Sequence, residues 1–242
     1  MLDVHPPHHP THTWTDFFIH IATICIGLLI AIGLEQTVEA FHRAHERHVL
    51  IEDLHAECEN NIQVIASDIV EAKNRIDWDE ASITVLRTAP VTGGQITASL
   101  PQREKVAAAT APSRAVWAVA KSSGKVALLP ENLAEVFDRL DHEAEENMRS
   151  RELRTHAQER VRDLGAVIGA PIKPGQLLHI TVAQRDLILD ALATELGATQ
   201  QSAVWLAYHK GASEAVLNGV TSRGAMDPYL FKARDALHIE MY

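Results

Sequence analysis

A run of eighteen residues without a charged side chain, Phe17–Leu34, constrains this chain more than any other feature. It reads FFIHIATICIGLLIAIGL and is bounded by an acidic residue on each side. Eighteen residues of α-helix extend about 27 Å, close to the roughly 30 Å hydrocarbon core of a bilayer. We therefore predict a single transmembrane helix over residues 14–36, with the lipid bilayer as its surroundings.

Two other interpretations of this run are a cleaved secretory signal peptide and a buried helix of a soluble domain. Ala31-Ile32-Gly33 resembles a small-x-small cleavage site, but the first sixteen residues contain no Lys or Arg, and signal peptides have a basic N-terminal region. A soluble core helix rarely has eighteen consecutive uncharged residues. Trp14, Phe17 and Phe18 stand where an interfacial aromatic belt is expected, which favours the membrane span.

Four residues of the predicted span share one face because they follow helical spacing: His20, Thr23, Gly27 and Ala31. Thr23, Gly27 and Ala31 form a small-xxx-small ridge, which lets two helix backbones approach closely in lipid. This face predicts self-association or docking on a partner span, although small residues are also common in membrane helices generally. For His20, the alternatives are an interhelical hydrogen bond, an interfacial position or contact with a cofactor of a larger complex.

The orientation rests on few charges. No Lys or Arg precedes the run, and Arg43 and Arg47 follow it, so the positive-inside rule favours a cytoplasmic domain. Cys25 lies within the span and Cys58 on the helix beyond it, so we expect no disulfide between them.

Composition favours a helical protein that does not bind nucleic acid. The chain has 242 residues and a formal net charge of −10, with no run rich in Lys or Arg to follow a phosphate backbone. Ala, Leu and Glu are plentiful and strand patterns are few, which predicts an all-α fold. The predicted architecture is one N-terminal transmembrane helix that continues into a long stalk helix, followed by an irregular helical bundle.

The chain divides into four predicted segments. Residues 1–13 are rich in Pro and His and are expected to be a disordered tail, followed by the transmembrane helix. Residues 37–76 form a coiled-coil-like stalk, because apolar side chains recur there at steps of three and four. Residues 77–242 form an α-helical domain that packs on the stalk. The predicted stalk-packing residues are Ile51, Leu54, Cys58, Ile62, Ile65 and Ile69.

Pro, Gly and capping residues, which begin or end helices, predict the helix boundaries of the domain. We expect a helix from Ser113 to Gly124, a long helix opened by Pro130, and a polar stretch at 149–156 that bends that helix or projects beyond the core. Further predictions are a loop at 89–101, a capping box of Thr181 and Gln184, a helix end at Gly197, another end at Asn218-Gly219, and a terminal helix opened by Asp227-Pro228.

Two blocks of sequence resemble a family of uncharacterised bacterial single-pass membrane proteins. The first block comprises Trp14, Asp16, Gly27-Leu28-Leu29-Ile30-Ala31, Leu34-Glu35, Val38-Glu39 and His42-Arg43. The second comprises Trp117, Ala120, Ser122-Ser123-Gly124, Leu129-Pro130 and Phe137. The resemblance covers about a quarter of the chain and implies a bacterial inner-membrane protein without a known activity, so it supplies no catalytic residue.

The same resemblance implies an orientation opposite to that favoured by the flanking arginines. Members of the family often have a basic residue near the Trp-Asp pair, which places the N-terminus inside and the large domain on the periplasmic side. This chain has Thr15 at that place. Both orientations therefore stay open, with the periplasmic one preferred.

Histidines beyond the span suggest a metal- or pH-responsive site as an alternative function. His45, His48, Glu52 and His55 share one helix face, and a zinc site can use His and carboxylate ligands at such spacing. A solvated juxtamembrane face is the plainer interpretation. The tail histidines His5, His8, His9 and His12 are a second group that could bind a transition metal.

The sequence contains no P-loop, no dinucleotide-binding glycine pattern and no Gly-x-Ser-x-Gly motif. We therefore predict a protein that is not an enzyme and has no cofactor of its own. Its expected partner is a second copy of the chain or another membrane protein. An accessory subunit of a larger membrane complex is a further alternative.

Overall fold

The computed structural model describes residues 14–104 and 110–239. The predicted disordered tail and its four histidines lie outside these residues. Contacts between residues divide the chain into two units, residues 1–49 and residues 50–242. The first helix, α1, runs over Trp14–Thr88, 75 residues, and contributes to both units.

In the first unit, no other described part of that unit covers α1. Every residue from 14 to 45 is exposed. An 18-residue window of this helix is long and apolar enough to cross a membrane, and none of that window is buried. A core helix of a soluble protein would bury most of such a window, so this finding separates α1 from that class.

The second unit is a helical bundle with a small sheet, and the all-α class is confirmed. Besides the end of α1, its helices are α2 Ala115–Ser122, α3 Glu131–Val167, α4 Val182–Leu217 and α5 Asp227–Asp235. Its strands are β1 Val91–Thr92, β2 Gln95–Ser99 and β3 Leu177–Thr181. Two short 3₁₀ helices cover Lys125–Leu128 and Arg223–Met226.

The predicted loop at 89–101 is wrong, because this segment forms a β-hairpin that pairs with a third strand. The strand order is β1-β2-β3, and both pairs are antiparallel. Gly93 and Gly94 form the turn with φ of 59° and 78°, the left-handed conformation that such a tight turn requires. Ile96 lies opposite Ile180, and both are buried on the face that meets the helices.

Several helix boundaries agree with the sequence. Pro130 immediately precedes α3, and Thr181 and Gln184 exchange the two hydrogen bonds of a capping box at the start of α4. The predicted helix end at Gly197 is wrong, because α4 continues to Leu217. A glycine in a helix costs about 1 kcal/mol relative to Ala, and burial of the following turns, including Thr199 and Ala203, offsets this.

The polar stretch at 149–156 does not interrupt α3 and does not project beyond the core. The helix continues through it, and Ser150 and Arg154 are buried there. Met148, the apolar residue just before this stretch, is 48% exposed. Ser150 and Arg154 therefore belong to the interior of the bundle, where they must find polar partners. The exposed polar residues of the stretch are Arg149, Glu152, Thr155 and His156.

Apolar side chains form three clusters in the second unit. One surrounds Leu54, Trp117 and Phe137, and a second joins the sheet to Leu86 and Leu192. The third is small and contains Ala72, Ala203 and Ala207, where α1 and α4 meet through short side chains. Ionic side chains from α1, α3 and α4 are buried alongside these apolar clusters.

Candidate functional site

The four residues of the predicted membrane face lie on the exposed part of α1. His20, Thr23, Gly27 and Ala31 are all exposed, and a side chain added at Gly27 would meet nothing within 4 Å. The hydroxyl of Thr23 donates to the carbonyl oxygen of Ile19, 2.9 Å away, so its polarity is satisfied within the helix. This face is therefore open to contact with another molecule.

The predicted stalk-packing residues lie toward the bundle of the second unit. Leu54, Cys58 and Ile65 are buried, and their neighbours Ile51, Ile62 and Ile69 are partly buried. Burial raises the pKa of the Cys58 thiol to about 12, with the nearby Glu57 carboxylate adding to the effect. Cys58 is therefore a structural residue that stays protonated at neutral pH.

The residues considered for metal binding gain no support from the structure. His45, His48 and Glu52 are exposed, and His55 is partly buried. Over residues 14–104 and 110–239, no three His, Cys, Asp or Glu side chains are grouped so that they could hold a metal ion. The four tail histidines lie outside these ranges.

The main polar feature that the sequence did not reveal is an ionic cluster between α1 and α4. The guanidinium of Arg75 contacts the carboxylate of Glu195 and lies 3.2 Å from Asp79, measured from Nε to Oδ1. Both acidic residues are wholly buried. Arg75 also lies over the ring of Trp78, with its guanidinium carbon 4.5 Å from the ring centroid, a cation–π arrangement. We call Arg75, Asp79 and Glu195 the ionic triad.

One arginine in the ionic triad faces two carboxylates, so one carboxylate charge is left without a matching cation. Burial raises the pKa of Asp79 to about 8; the Arg75 cation acts against this shift and Glu195 adds to it. Burial also raises the pKa of Glu195. Within the described residues, neither carboxylate oxygen of Asp79 accepts a hydrogen bond. The triad therefore favours holding a proton at neutral pH.

A second group of ion pairs joins α1 to the polar stretch of α3. Asp68 accepts hydrogen bonds from Arg151, at 3.0 Å, and from Arg154, at 3.3 Å. Glu71, one turn further along α1, lies 3.5 Å from Arg103 and 3.8 Å from Arg154. Arg151 and Arg154 thus bond to acidic side chains of α1, which explains how one side of this polar segment packs against the bundle. Arg149, on the exposed side, pairs with Glu145 and Glu146 of its own helix.

A cavity of about 330 Å³ opens beside the ionic triad. Its lining consists of Glu71, Arg75, Arg103, Thr155, Gln158, Glu159, Val161, Arg162 and Ile172. The charged side chains deepest in this lining, Glu71 and Arg75, are already paired with protein groups. Among the described residues, this lining contains no Ser, Cys or His side chain that could serve as a nucleophile with an adjacent base.

A separate buried histidine lies between α3 and α4. His209 is 2% exposed, and the side-chain amide of Asn147 lies 3.3 Å from its Nδ1. Burial and the nearby Arg114 cation lower the pKa of His209 to about 4, while Asp141 acts weakly in the other direction. His209 is therefore neutral at neutral pH.

Asp141, a carboxylate near His209, holds two basic side chains in place. Its carboxylate accepts hydrogen bonds from Arg114, at 2.6 and 2.8 Å, and from Lys121, at 2.8 Å. Burial alone would raise the pKa of Asp141, but the bonds from Lys121 and Arg114 outweigh it and lower the pKa. Asp141 therefore stays ionised and fixes α2 against α3.

The start of α2 is stabilised from α1. The helix predicted from Ser113 begins at Ala115, and the side chain of the preceding Arg114 makes no capping hydrogen bond. Instead, a carboxylate oxygen of Glu57 accepts hydrogen bonds from the Ser113 hydroxyl at 2.5 Å and from the Val116 amide at 3.2 Å. The side chain of Asn61 exchanges two hydrogen bonds with the Ser113 backbone, at 2.7 and 2.8 Å. A negative charge at a helix N-terminus complements its dipole.

Comparisons of this chain with known proteins gave no match. No protein-family model, no curated protein sequence and no solved structure matches it. The resemblance described from its sequence therefore stays a prediction, and its function must be argued from its own residues.

Sequence reasoning missed Arg75, Asp79 and Glu195 because each lies within a mixed polar and apolar helix segment. Arg75 and Asp79 are spaced i, i+4, a pattern usually found on solvated helix faces. The signal that could have located buried charge was the long α3 segment that is polar on all sides. A helix with no apolar face must either be solvated or pack against polar partners.

Proposed function

We propose that this chain is a non-catalytic, single-pass membrane protein that holds a helical domain at the bilayer and acts by self-association or by docking on a membrane partner. The observation that carries the proposal is the exposure of the uncharged run of α1. Its large apolar side chains are exposed to between 42% and 69%, and Phe18, Leu29 and Ile30 are each at least 60% exposed. Such a surface is stable in hydrocarbon and costly in water.

Membrane insertion is tested by placing charge in the centre of the run. An arginine near the middle of a span costs about 2.5–3.5 kcal/mol on insertion scales, so Ile26→Arg with Leu29→Arg should move the protein out of the carbonate-washed membrane fraction. The matched control is Val70→Arg with Val119→Arg, two exposed apolar positions of the second unit. Equal membrane retention of both double variants would contradict a span.

Intact mass separates an anchor from a cleaved signal peptide. The proposal requires the mature membrane protein to keep residues 14–36. Loss of the segment before Glu35 would mean that the run is a cleaved signal peptide, and this would contradict the proposed function as a membrane protein.

For the orientation, we propose that the large domain lies on the periplasmic side of the bacterial inner membrane, as the family resemblance implies. Protease added to intact spheroplasts should then degrade residues 50–242. Protection until the membrane is permeabilised would place the domain in the cytoplasm instead, in agreement with Arg43 and Arg47.

Docking through the small-residue face is tested with two equivalent glycines. Gly27 and Gly33 both have open space around them, but they lie about 120° apart around the helix. Gly27→Ile should reduce crosslinking of the span in membranes, because a bulky side chain separates the two backbones. Gly33→Ile, on another face, should not. Equal effects would remove this face as the contact.

A further inference from the structure

A narrow apolar strip continues on α1 beyond the uncharged run. Leu34, Val38 and Phe41 are 66%, 62% and 73% exposed, although the residues around them are polar. With Ala31 before them and His45 after them, they follow spacings of three and four and occupy an arc of about 80°. We call Ala31, Leu34, Val38, Phe41 and His45 the α1 seam.

The spacing of the α1 seam is that of a coiled coil. Ala31, Val38 and His45 are seven residues apart, as positions a of a heptad, and Leu34 and Phe41 occupy positions d. The seam also continues the face of Gly27, so a single contact line could extend from the span into the following turns.

Lipid does not readily account for the far end of this seam. Phe41 lies seven residues beyond Leu34, about 10 Å along the helix. The headgroup layer adds only about 5–8 Å on each side of the hydrocarbon core. A side chain of this size at that level is covered by protein or stays in water.

The charges of this segment favour a second copy of the same chain as the cover. Glu39, Arg43, Glu46 and Arg47 point at least about 100° away from the midline of the seam. Two side-chain pairs form within the helix: Arg43 lies 3.7 Å from Glu39, and His42 lies 3.4 Å from Glu46. Two identical helices can therefore meet along the seam without opposing like charges, which an interface between identical copies must avoid.

We infer that two copies of this chain form a parallel coiled coil along the α1 seam, with Val38 and Phe41 of each copy packed against those of the other. The inference rests on the proposed function, because a single span of fixed orientation places both copies parallel and at the same depth. Equivalent residues then meet without any further device to set their register.

Cysteine crosslinking of the full chain in native membranes tests the seam. In a Cys25→Ser background, Val38→Cys and Phe41→Cys should form disulfide-linked dimers on oxidation. Ala40→Cys and Arg43→Cys, on the outer side of the same helix, should form far fewer. Cys58 is buried and stays in place in all four proteins. Equal dimer yields at all four positions, or no dimers at any, would overturn the inference.

A charge substitution provides an independent measurement. Val38→Glu places two like charges opposite each other and should weaken dimerisation in detergent or nanodiscs by more than about tenfold. Ala40→Glu adds the same charge on the outer face and should leave the dimer intact. Equal dimer fractions for the two variants would contradict the seam.

Failure of the seam is distinguishable from failure of the proposed function. A protein that remains in the washed membrane but is monomeric, or that crosslinks only to a chain of different mass, overturns the homodimer and leaves docking on a partner in place. A protein released from the membrane by the carbonate wash overturns the proposed function itself.

Discussion

Arg75 on α1 contacts Glu195 on α4, and the carboxylate of Glu195 is fully buried at this contact. Burying a charge is costly unless a partner compensates it, so this pair links the packing of the two helices to their electrostatics. Asp79 adds a second carboxylate to the same arginine. Removing the cation should therefore do more damage than removing either acid.

We expect Arg75→Met to destabilise the bundle by about 3–5 kcal/mol, because it leaves two buried carboxyl groups without a cation. Arg162→Met, an equivalent change at an exposed arginine of α3, should change stability by less than about 0.5 kcal/mol. Urea unfolding of the full chain in detergent, followed by circular dichroism, measures both. Similar stabilities for the two variants would show that the triad is not a structural centre.

Stability should fall as pH rises from 6.5 to 8. The folded pKa of Asp79 is raised to about 8 from 3.8, so the folded state binds more protons than the unfolded state between these values, and stability is lost as pH rises through this range. One proton gives a slope of at most about 1.4 kcal/mol per pH unit. Asp79→Asn should flatten the slope, whereas Asp77→Asn, at an exposed neighbour, should not. An unchanged slope in Asp79→Asn would contradict this assignment.

His209 should give an effect of the opposite sign under acidic conditions. Its folded pKa is lowered to about 4 from 6.5, so the unfolded state binds the extra proton and stability falls as pH decreases from 6.5 to 4. Asp79 changes stability in the opposite direction over this pH range. The informative quantity is therefore the difference in the free energy of unfolding between each variant and the wild type. His209→Gln should lose the fall in stability between pH 6.5 and 4. His142→Gln, at an exposed histidine of α3, should keep it.

Two glycines of α4 should respond oppositely to alanine. A side chain at Gly211 would come within 2.6 Å of the Tyr229 carbonyl oxygen on α5, whereas one at Gly197 would meet nothing within 4 Å. Gly211→Ala should destabilise the protein by about 1–3 kcal/mol through overpacking, and Gly197→Ala should stabilise it by about 0.5–1 kcal/mol through helix propensity. Thermal unfolding checks both. Stabilisation by Gly211→Ala would mean that α5 does not pack closely there.

Features that depend on neighbouring residues could be predicted from the sequence, whereas features that depend on long-range contacts could not. Pro130, the Thr181–Gln184 capping box and the turn at Asn218-Gly219 were readable because each depends on a few neighbouring residues. The hairpin at 91–99 was missed because short strands depend on their pairing with β3, which lies about eighty residues later. The prediction of a helix end at Gly197 was wrong because burial of α4 in the bundle outweighs the tendency of glycine to end a helix.

The sequence by itself determined the uncharged run, the helical class and most helix starts, because these depend on residue type and spacing along one segment. Only the tertiary structure decided which charges are buried. Arg75 meets Glu195 across 120 positions of sequence, and Arg154 meets Asp68 across 86, and no local pattern encodes such encounters. Only the structure, too, showed that the apolar side chains of residues 17–41 stay uncovered within their own unit, since burial depends on what the rest of the chain packs against.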